Sequence, residues 1–126
     1  MNRVLHVEDE PDIREVAKLA LEDVGGMTVE MAECGPDALV KAPAFAPDLI
    51  LLDVMMPGMD GPATLLELRK NPLTASIPVI FMTAKVQSHE VARYKDLGAI
   101  GVIAKPFDPM TLADQVRALW KSRAAG

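Results

Sequence analysis

The sequence predicts an α/β fold, a parallel sheet of five strands with helices on both faces. Two observations predict it. Short apolar runs without alternation, such as Leu49-Ile50-Leu51-Leu52 and Val79-Ile80-Phe81-Met82, are bounded by turn residues and fit strands buried on both faces. Segments with apolar residues at helical spacing separate these runs, so strand and helix alternate along the chain.

Taken in order, Arg3 to Val7 reads as a buried strand ending at Glu8-Asp9-Glu10. Pro11 suits the first turn of a helix, where its missing N–H costs nothing. Ile13, Ala17, Ala20, Leu21 and Val24 form one apolar face of that helix, and Gly25-Gly26 stops it. Met27 to Ala32 alternates enough for a second strand. Gly35-Pro36 opens a short helix carrying Ala38, Leu39 and Ala42, which Pro43 is expected to end early. Pro47 leads into the third strand, which closes on Asp53. The loop 54–60 follows, and Gly61-Pro62 starts a third helix with Leu65, Leu66 and Leu68 inside it. After the polar connection 71–76, Pro78 to Met82 is a fourth strand ending at Thr83-Ala84. A fourth helix covers roughly Ser88 to Leu97, with Gly98 as its C′ residue. Gly101 to Ala104 is the fifth strand, ending at Lys105-Pro106. Asp108 as N-cap and Pro109 at N1 start the last helix, whose stripe is Leu112, Val116, Leu119 and Trp120. Five strands and five helices in alternation imply right-handed crossovers, and the flavodoxin-like order 2-1-3-4-5 is the commonest winding, giving a three-layer α/β/α sandwich.

The chain has 126 residues, half of them hydrophobic, which suits one domain with a real core. The expected organisation is one domain over residues 1–123 and a short tail at 124–126, with no effector domain. Net charge is −5, so no basic field favours unaided binding to nucleic acid or an anionic membrane. Cys34 is the one cysteine, which precludes an intrachain disulfide and suits a reducing, cytoplasmic setting. Neither a secretory h-region nor a membrane-spanning apolar stretch is present.

In the order 2-1-3-4-5, the residues that end strands 1, 3, 4 and 5 share one rim, where open α/β sheets place ligands. They are Glu8 and Asp9, Asp53, Thr83, and Lys105. Singly, each has an ordinary use: an acidic run favours a helix N-terminus, Asp suits a turn, Thr caps a helix and Lys is solvated. Together they carry chemistry. Three crowded carboxylates repel unless a cation intervenes, and an all-oxygen set suits a hard divalent ion such as Mg²⁺. Lys105 adds a compact positive charge and Thr83 a hydroxyl donor, which are the parts needed to hold a phosphoryl group. An Asp carboxylate can itself be the nucleophile and form an aspartyl phosphate.

The motifs Val7-Glu8-Asp9-Glu10, Pro47 through Gly61, Ile77 through Ala84, and Gly98-Ala99 through Lys105-Pro106-Phe107 closely resemble those of the receiver domain of two-component response regulators, over essentially the whole chain. The resemblance implies that Asp53 accepts a phosphoryl group from a histidine kinase or histidine phosphotransfer protein. It implies that Asp9, Asp53 and the backbone carbonyl of Met55 bind Mg²⁺ directly and Glu8 largely through water. It also implies that Lys105 and Thr83 contact the phosphoryl oxygens, that Ala84 leaves them room, and that the Lys105-Pro106 bond is cis. Such a protein is a signalling phosphoacceptor that assists its own phosphorylation and dephosphorylation, and no separate enzyme. Output would come from protein contacts on the face of the fourth helix, fifth strand and last helix, as a phosphorelay intermediate, an adaptor or a chemotaxis-like regulator.

One position departs from the family pattern. Val102 stands where members commonly carry Tyr, Phe or His, an aromatic that swings inward with the Thr83 switch. Without a ring, the signal is expected to reach that face through the backbone around Thr83 and Lys105. Met55 and Lys85 occupy the two positions that flank the hydrolytic water in the family. Met55 cannot usefully hydrogen-bond that water and Lys85 offers no acceptor, so a long-lived aspartyl phosphate is expected.

Two other functions fit parts of the pattern. A Mg²⁺-dependent phosphatase of the haloacid-dehalogenase type needs a second Asp two residues after the nucleophile, where this chain has Met55. Activity on an aryl phosphate would reveal it. An FMN carrier shares the fold, but Glu8-Asp9-Glu10-Pro11-Asp12 would repel the flavin phosphate, and the pure protein would be yellow.

Overall fold

In a computed structural model describing residues 1–123, the chain forms one five-stranded parallel sheet in the order β2-β1-β3-β4-β5. The strands are β1 (Arg3–Val7), β2 (Thr28–Ala32), β3 (Leu49–Asp53), β4 (Val79–Thr83) and β5 (Gly101–Ala104). The helices are α1 (Pro11–Leu19), α2 (Gly35–Phe45), α3 (Gly61–Lys70), α4 (Ser88–Asp96) and α5 (Leu112–Ser122). The flavodoxin-like order holds. The tail expected at 124–126 lies outside the described residues.

The apolar runs behave as the buried-strand reading requires, since every residue of β3 and of β4 is buried. Side chains alternate between two faces. Leu5, Val7, Ile50, Leu52, Val79 and Phe81 face Ala38, Ala42, Leu65, Leu68 and Tyr94 from α2, α3 and α4. Val4, Leu49, Leu51, Ile80, Met82 and Ile103 face Ala17 of α1, Leu21 beyond it, and Leu112, Ala113 and Val116 of α5. Each fully buried Leu, Ile or Phe contributes roughly 1.5–3 kcal/mol, so these two layers dominate the stability. Tyr94 packs edge-on against Phe81, with ring centroids 5.2 Å apart. Trp120 is half-buried against the second layer, as its stripe predicts. Asp48 pins the start of the sheet by accepting the backbone N–H groups of Asn2 and Arg3 at 2.8 and 2.9 Å.

Three boundaries differ from the sequence reading. Pro43 does not end α2, which continues to Phe45. The proline forfeits one backbone hydrogen bond, about 1 kcal/mol net. The last turn is held by buried Ala42, by the Ala46 N–H bond to Ala42 O at 2.9 Å, and by Arg3, which donates to Phe45 O and lies over its ring. The first helix ends in a π-helical turn over Ala20–Val24, closed by the Gly25 N–H on Ala20 O at 3.1 Å. Periodicity of 3.6 does not foretell that wider turn. Asp108 and Pro109 do not begin α5. Asp108 Oδ1 accepts the Met110 N–H and its carbonyl accepts those of Thr111 and Leu112, so a separate turn precedes the helix at Leu112. Gly98 has the positive φ, +114°, that a C′ glycine requires.

Candidate functional site

Parallel register assembles the rim. Val7 pairs with Leu52, Asp53 with Met82, and Thr83 with Ala104. The next residues outward, Glu8 after Val7 and Lys105 after Ala104, therefore stand beside Asp53 and Thr83. The Lys105 N–H donates to Thr83 O and the Val54 N–H to Met82 O, at 2.9 and 3.0 Å, extending the ladder past the strand ends. α3 starts hard against this edge. A Cβ on Gly61 would lie 2.5 Å from Asp53 O and 2.8 Å from Val54 Cα, so only glycine admits the approach. Asp60 caps α3 by accepting the Ala63 N–H at 2.9 Å.

Glu8, Asp53 and Thr83 are buried, while Asp9 and Lys105 are half-buried. Carboxylate oxygens of Glu8, Asp9 and Asp53 lie within 4.8 Å of one another. Lys105 Nζ donates to Glu8 Oε1 at 2.7 Å and to Asp53 Oδ1 at 3.2 Å. Burial pushes the Glu8 carboxyl up to about 7, and the charge of Asp53 and a hydrogen bond with Asp9 add to that, against the opposing pull of Lys105. Lys105 titrates above its ordinary value: burial lowers it, but the Glu8 hydrogen bond and the Asp53 charge outweigh that. One ammonium thus faces three carboxylates. The unbalanced charge and the all-oxygen donor set fit a hard divalent cation, which the cluster could hold.

Thr83 Oγ1 accepts the Lys85 N–H at 3.1 Å, which orients the hydroxyl at the start of the β4–α4 loop. Ala84 and Lys85 are exposed beside it. Met55 projects from the β3–α3 loop at 70% exposure, so its side chain is free of the core. Val102 is half-buried and packs on the layer that contains Phe81 and Tyr94. The Lys105-Pro106 bond is cis.

Two neighbours of the site escape a sequence reading. Arg14 Nη1 donates to the backbone carbonyl of Glu8 at 2.8 Å. Its position, one turn into α1 on the side of the β1–α1 turn, is the signal that helical spacing could have supplied. His6 is fully buried in β1 with both ring nitrogens unpartnered, on the face shared by Val4. In sequence it is one residue of a strand, with nothing to mark it.

No described helix is long and apolar enough to cross a membrane. Residues 4–117 match the response regulator receiver domain family. Over 119 residues the chain is 37% identical to the DNA-binding dual master transcriptional regulator RpaA of Synechocystis sp., covering 94% of this chain and 49% of that protein. It is 38% identical over 119 residues to the phosphate regulon transcriptional regulatory protein PhoB of Escherichia coli, covering 94% of this chain and 52% of that protein. The chain therefore spans about half the length of these curated relatives. Among solved structures, the chemotaxis response regulator CheY4 of Vibrio cholerae superposes with a TM-score of 0.86 at 33% identity, covering 94% of this chain and 98% of that one. A response regulator from Desulfuromonas acetoxidans gives a TM-score of 0.83 at 30% identity, covering 96% and 98%. With the fold, the register and the rim in agreement, the chain belongs to the receiver domain family of two-component response regulators.

Proposed function

We propose that Asp53 accepts a phosphoryl group from the phosphohistidine of a histidine kinase or histidine phosphotransfer protein, in a Mg²⁺-dependent reaction. The observation that carries this is Lys105 Nζ, poised between Glu8 and Asp53 at 2.7 and 3.2 Å. That ammonium lies where new negative charge would arrive. One Asp53 oxygen attacks phosphorus and forms an O–P bond. The N–P bond to the donor imidazole breaks, and the ring keeps the electron pair. Lys105 shifts from carboxylate to phosphoryl oxygen and Thr83 donates its hydroxyl, each stabilising charge as it develops. Ala84, with its small side chain, leaves the oxygens room. Glu8, Asp9, Asp53 and the Met55 carbonyl would hold Mg²⁺, which when bound neutralises phosphoryl charge. Incubation with acetyl phosphate is expected to add one phosphoryl mass in Mg²⁺ and none in EDTA. Equal phosphorylation in both would remove the metal from the account.

Hydrolysis of the product should be slow. Met55, exposed at 70%, has only a weak thioether acceptor to offer a water, and Lys85 has donors alone. Met55→Asn is therefore expected to lose phosphate several-fold faster than wild type, followed by intact mass over time. An unchanged rate would leave Met55 without a kinetic role.

The signal would leave through α4, β5 and α5 to a protein partner. Phosphorylation adds roughly −1.5 to −2 charge and draws Thr83 and Lys105 toward it. Those residues open the β4–α4 and β5–α5 loops, so both helices are biased through backbone while Val102 stays a plain wall. Beryllofluoride, a phosphoryl mimic, is expected to shift amide resonances along α4 and α5. Shifts confined to the loops of Asp53, Thr83 and Lys105 would mean that partners read the phosphate directly.

A further inference from the structure

The β1–α1 turn carries Glu8 and Asp9, two of the three clustered carboxylates, and it is gripped at both ends of one residue. The Glu8 N–H donates to Ala32 O of β2 at 3.0 Å. The Glu8 carbonyl accepts from Arg14 Nη1 at 2.8 Å. The Arg14 side chain is only 20% exposed, and its Nη2 stands 3.9 Å from Glu33 Oε2, itself 70% exposed. The inner contact is therefore sheltered from solvent and the outer one is a screened surface pair worth little. A planar guanidinium with fixed donors holds a carbonyl in one direction. Since the peptide planes on either side of Glu8 set where its side chain and that of Asp9 leave the backbone, fixing them fixes the direction of both carboxylates.

We infer that Arg14 is a positioning residue: through the Glu8 carbonyl it holds the β1–α1 turn so that Glu8 and Asp9 converge with Asp53, and in doing so it sets the affinity for a divalent cation. This rests on the reading that the cluster binds such an ion. The competing effect has the opposite sign. A positive charge beside an acidic cluster opposes cation binding, so if charge alone mattered, removing Arg14 would tighten it. Without the grip, three mutually repelling carboxylates spread, and the ion must gather them.

The test uses the full chain and Mn²⁺ as probe, with bound ion read by electron paramagnetic resonance. Arg14→Met keeps an apolar stem and removes the donors. It is expected to raise the Mn²⁺ dissociation constant by about tenfold, the lower end for groups that orient metal ligands. Glu33→Gln, which leaves the carbonyl contact in place, is expected to stay within about twofold of wild type. Unfolding in EDTA separates a structural role, which would lower the midpoint and leave the affinity of the folded protein unchanged. Arg14→Met binding Mn²⁺ as well as wild type, or more tightly, overturns the inference alone. So does a loss in Glu33→Gln equal to that in Arg14→Met, which would assign the effect to the outer pair. A wild type that binds no Mn²⁺ overturns both the inference and the cation site it rests on.

Discussion

Lys105→Met is expected to slow phosphorylation by about 100-fold, the usual scale for removing one preorganised charge from a reacting centre. The same change should destabilise the metal-free protein by roughly 3 kcal/mol at pH 8.5, because it leaves buried charges without their partner. Glu8 and Asp53 are the charges concerned, at 0% and 2% exposure. The loss depends on pH. The Glu8 carboxyl sits at about 7 in the folded protein and 4.5 in the unfolded chain. A carboxyl raised on folding contributes stability that is full below the unfolded value and is lost as pH rises through the folded one. Without Lys105, Glu8 holds its proton to still higher pH, so at pH 6 it is neutral in both proteins and the gap narrows to the share that comes from the Lys105 contact with Asp53. Urea unfolding in EDTA at pH 6 and pH 8.5 measures this. A gap equal at both would mean that Lys105 does not act through Glu8.

His6 carries the second large effect. Burial, then the charges of Lys105 and Arg14, lower its imidazole from 6.5 to about 3. The unfolded chain therefore takes up a proton that the folded protein refuses. Stability from this residue is full above 6.5 and is lost as pH falls toward 3, on the order of 5 kcal/mol across that window. Between 4.5 and 6.5 the opposite slope of Glu8 cancels it, so wild type in EDTA should show a plateau there and an acid limb below. Asp48 steepens that limb, since backbone N–H groups of Asn2 and Arg3 hold its carboxyl below the usual value. With both ring nitrogens unpartnered, the ring forfeits hydrogen bonds that water would give. His6→Leu is expected to gain about 1–3 kcal/mol at pH 7 and to flatten the acid limb. A variant less stable than wild type at pH 7, with the limb intact, would show that the imidazole has a partner in solution.

The sheet order and the rim were legible because they rest on features one strand long. Val79 to Met82 and Leu49 to Leu52 bury both faces and need no partner to be recognised, and parallel alternation places their last residues together. What could not be read depends on contacts distant in the chain. Pro43 looks like a stop until Arg3 is seen against the Phe45 carbonyl and ring. The wide turn at Ala20–Val24 departs from any fixed period. Asp108-Pro109 has the chemistry of a helix start, and the same chemistry serves the turn it makes. At the site, Lys105 was assigned toward a phosphoryl group, whereas its grip on Glu8 and Asp53 emerges only from geometry.

The most direct measurement asks which atom carries the phosphoryl group. An acyl phosphate at Asp53 is reduced by borohydride to homoserine, while a phosphoserine, phosphothreonine or phosphohistidine is not. The protein phosphorylated in Mg²⁺, reduced and sequenced by mass spectrometry should show homoserine at position 53, and Asp53→Ala should show none anywhere. Homoserine at Asp9 or another aspartate, the hydroxynorvaline that an acyl phosphate at Glu8 would leave, or phosphorylation of Asp53→Ala at the wild-type level, would contradict the assignment.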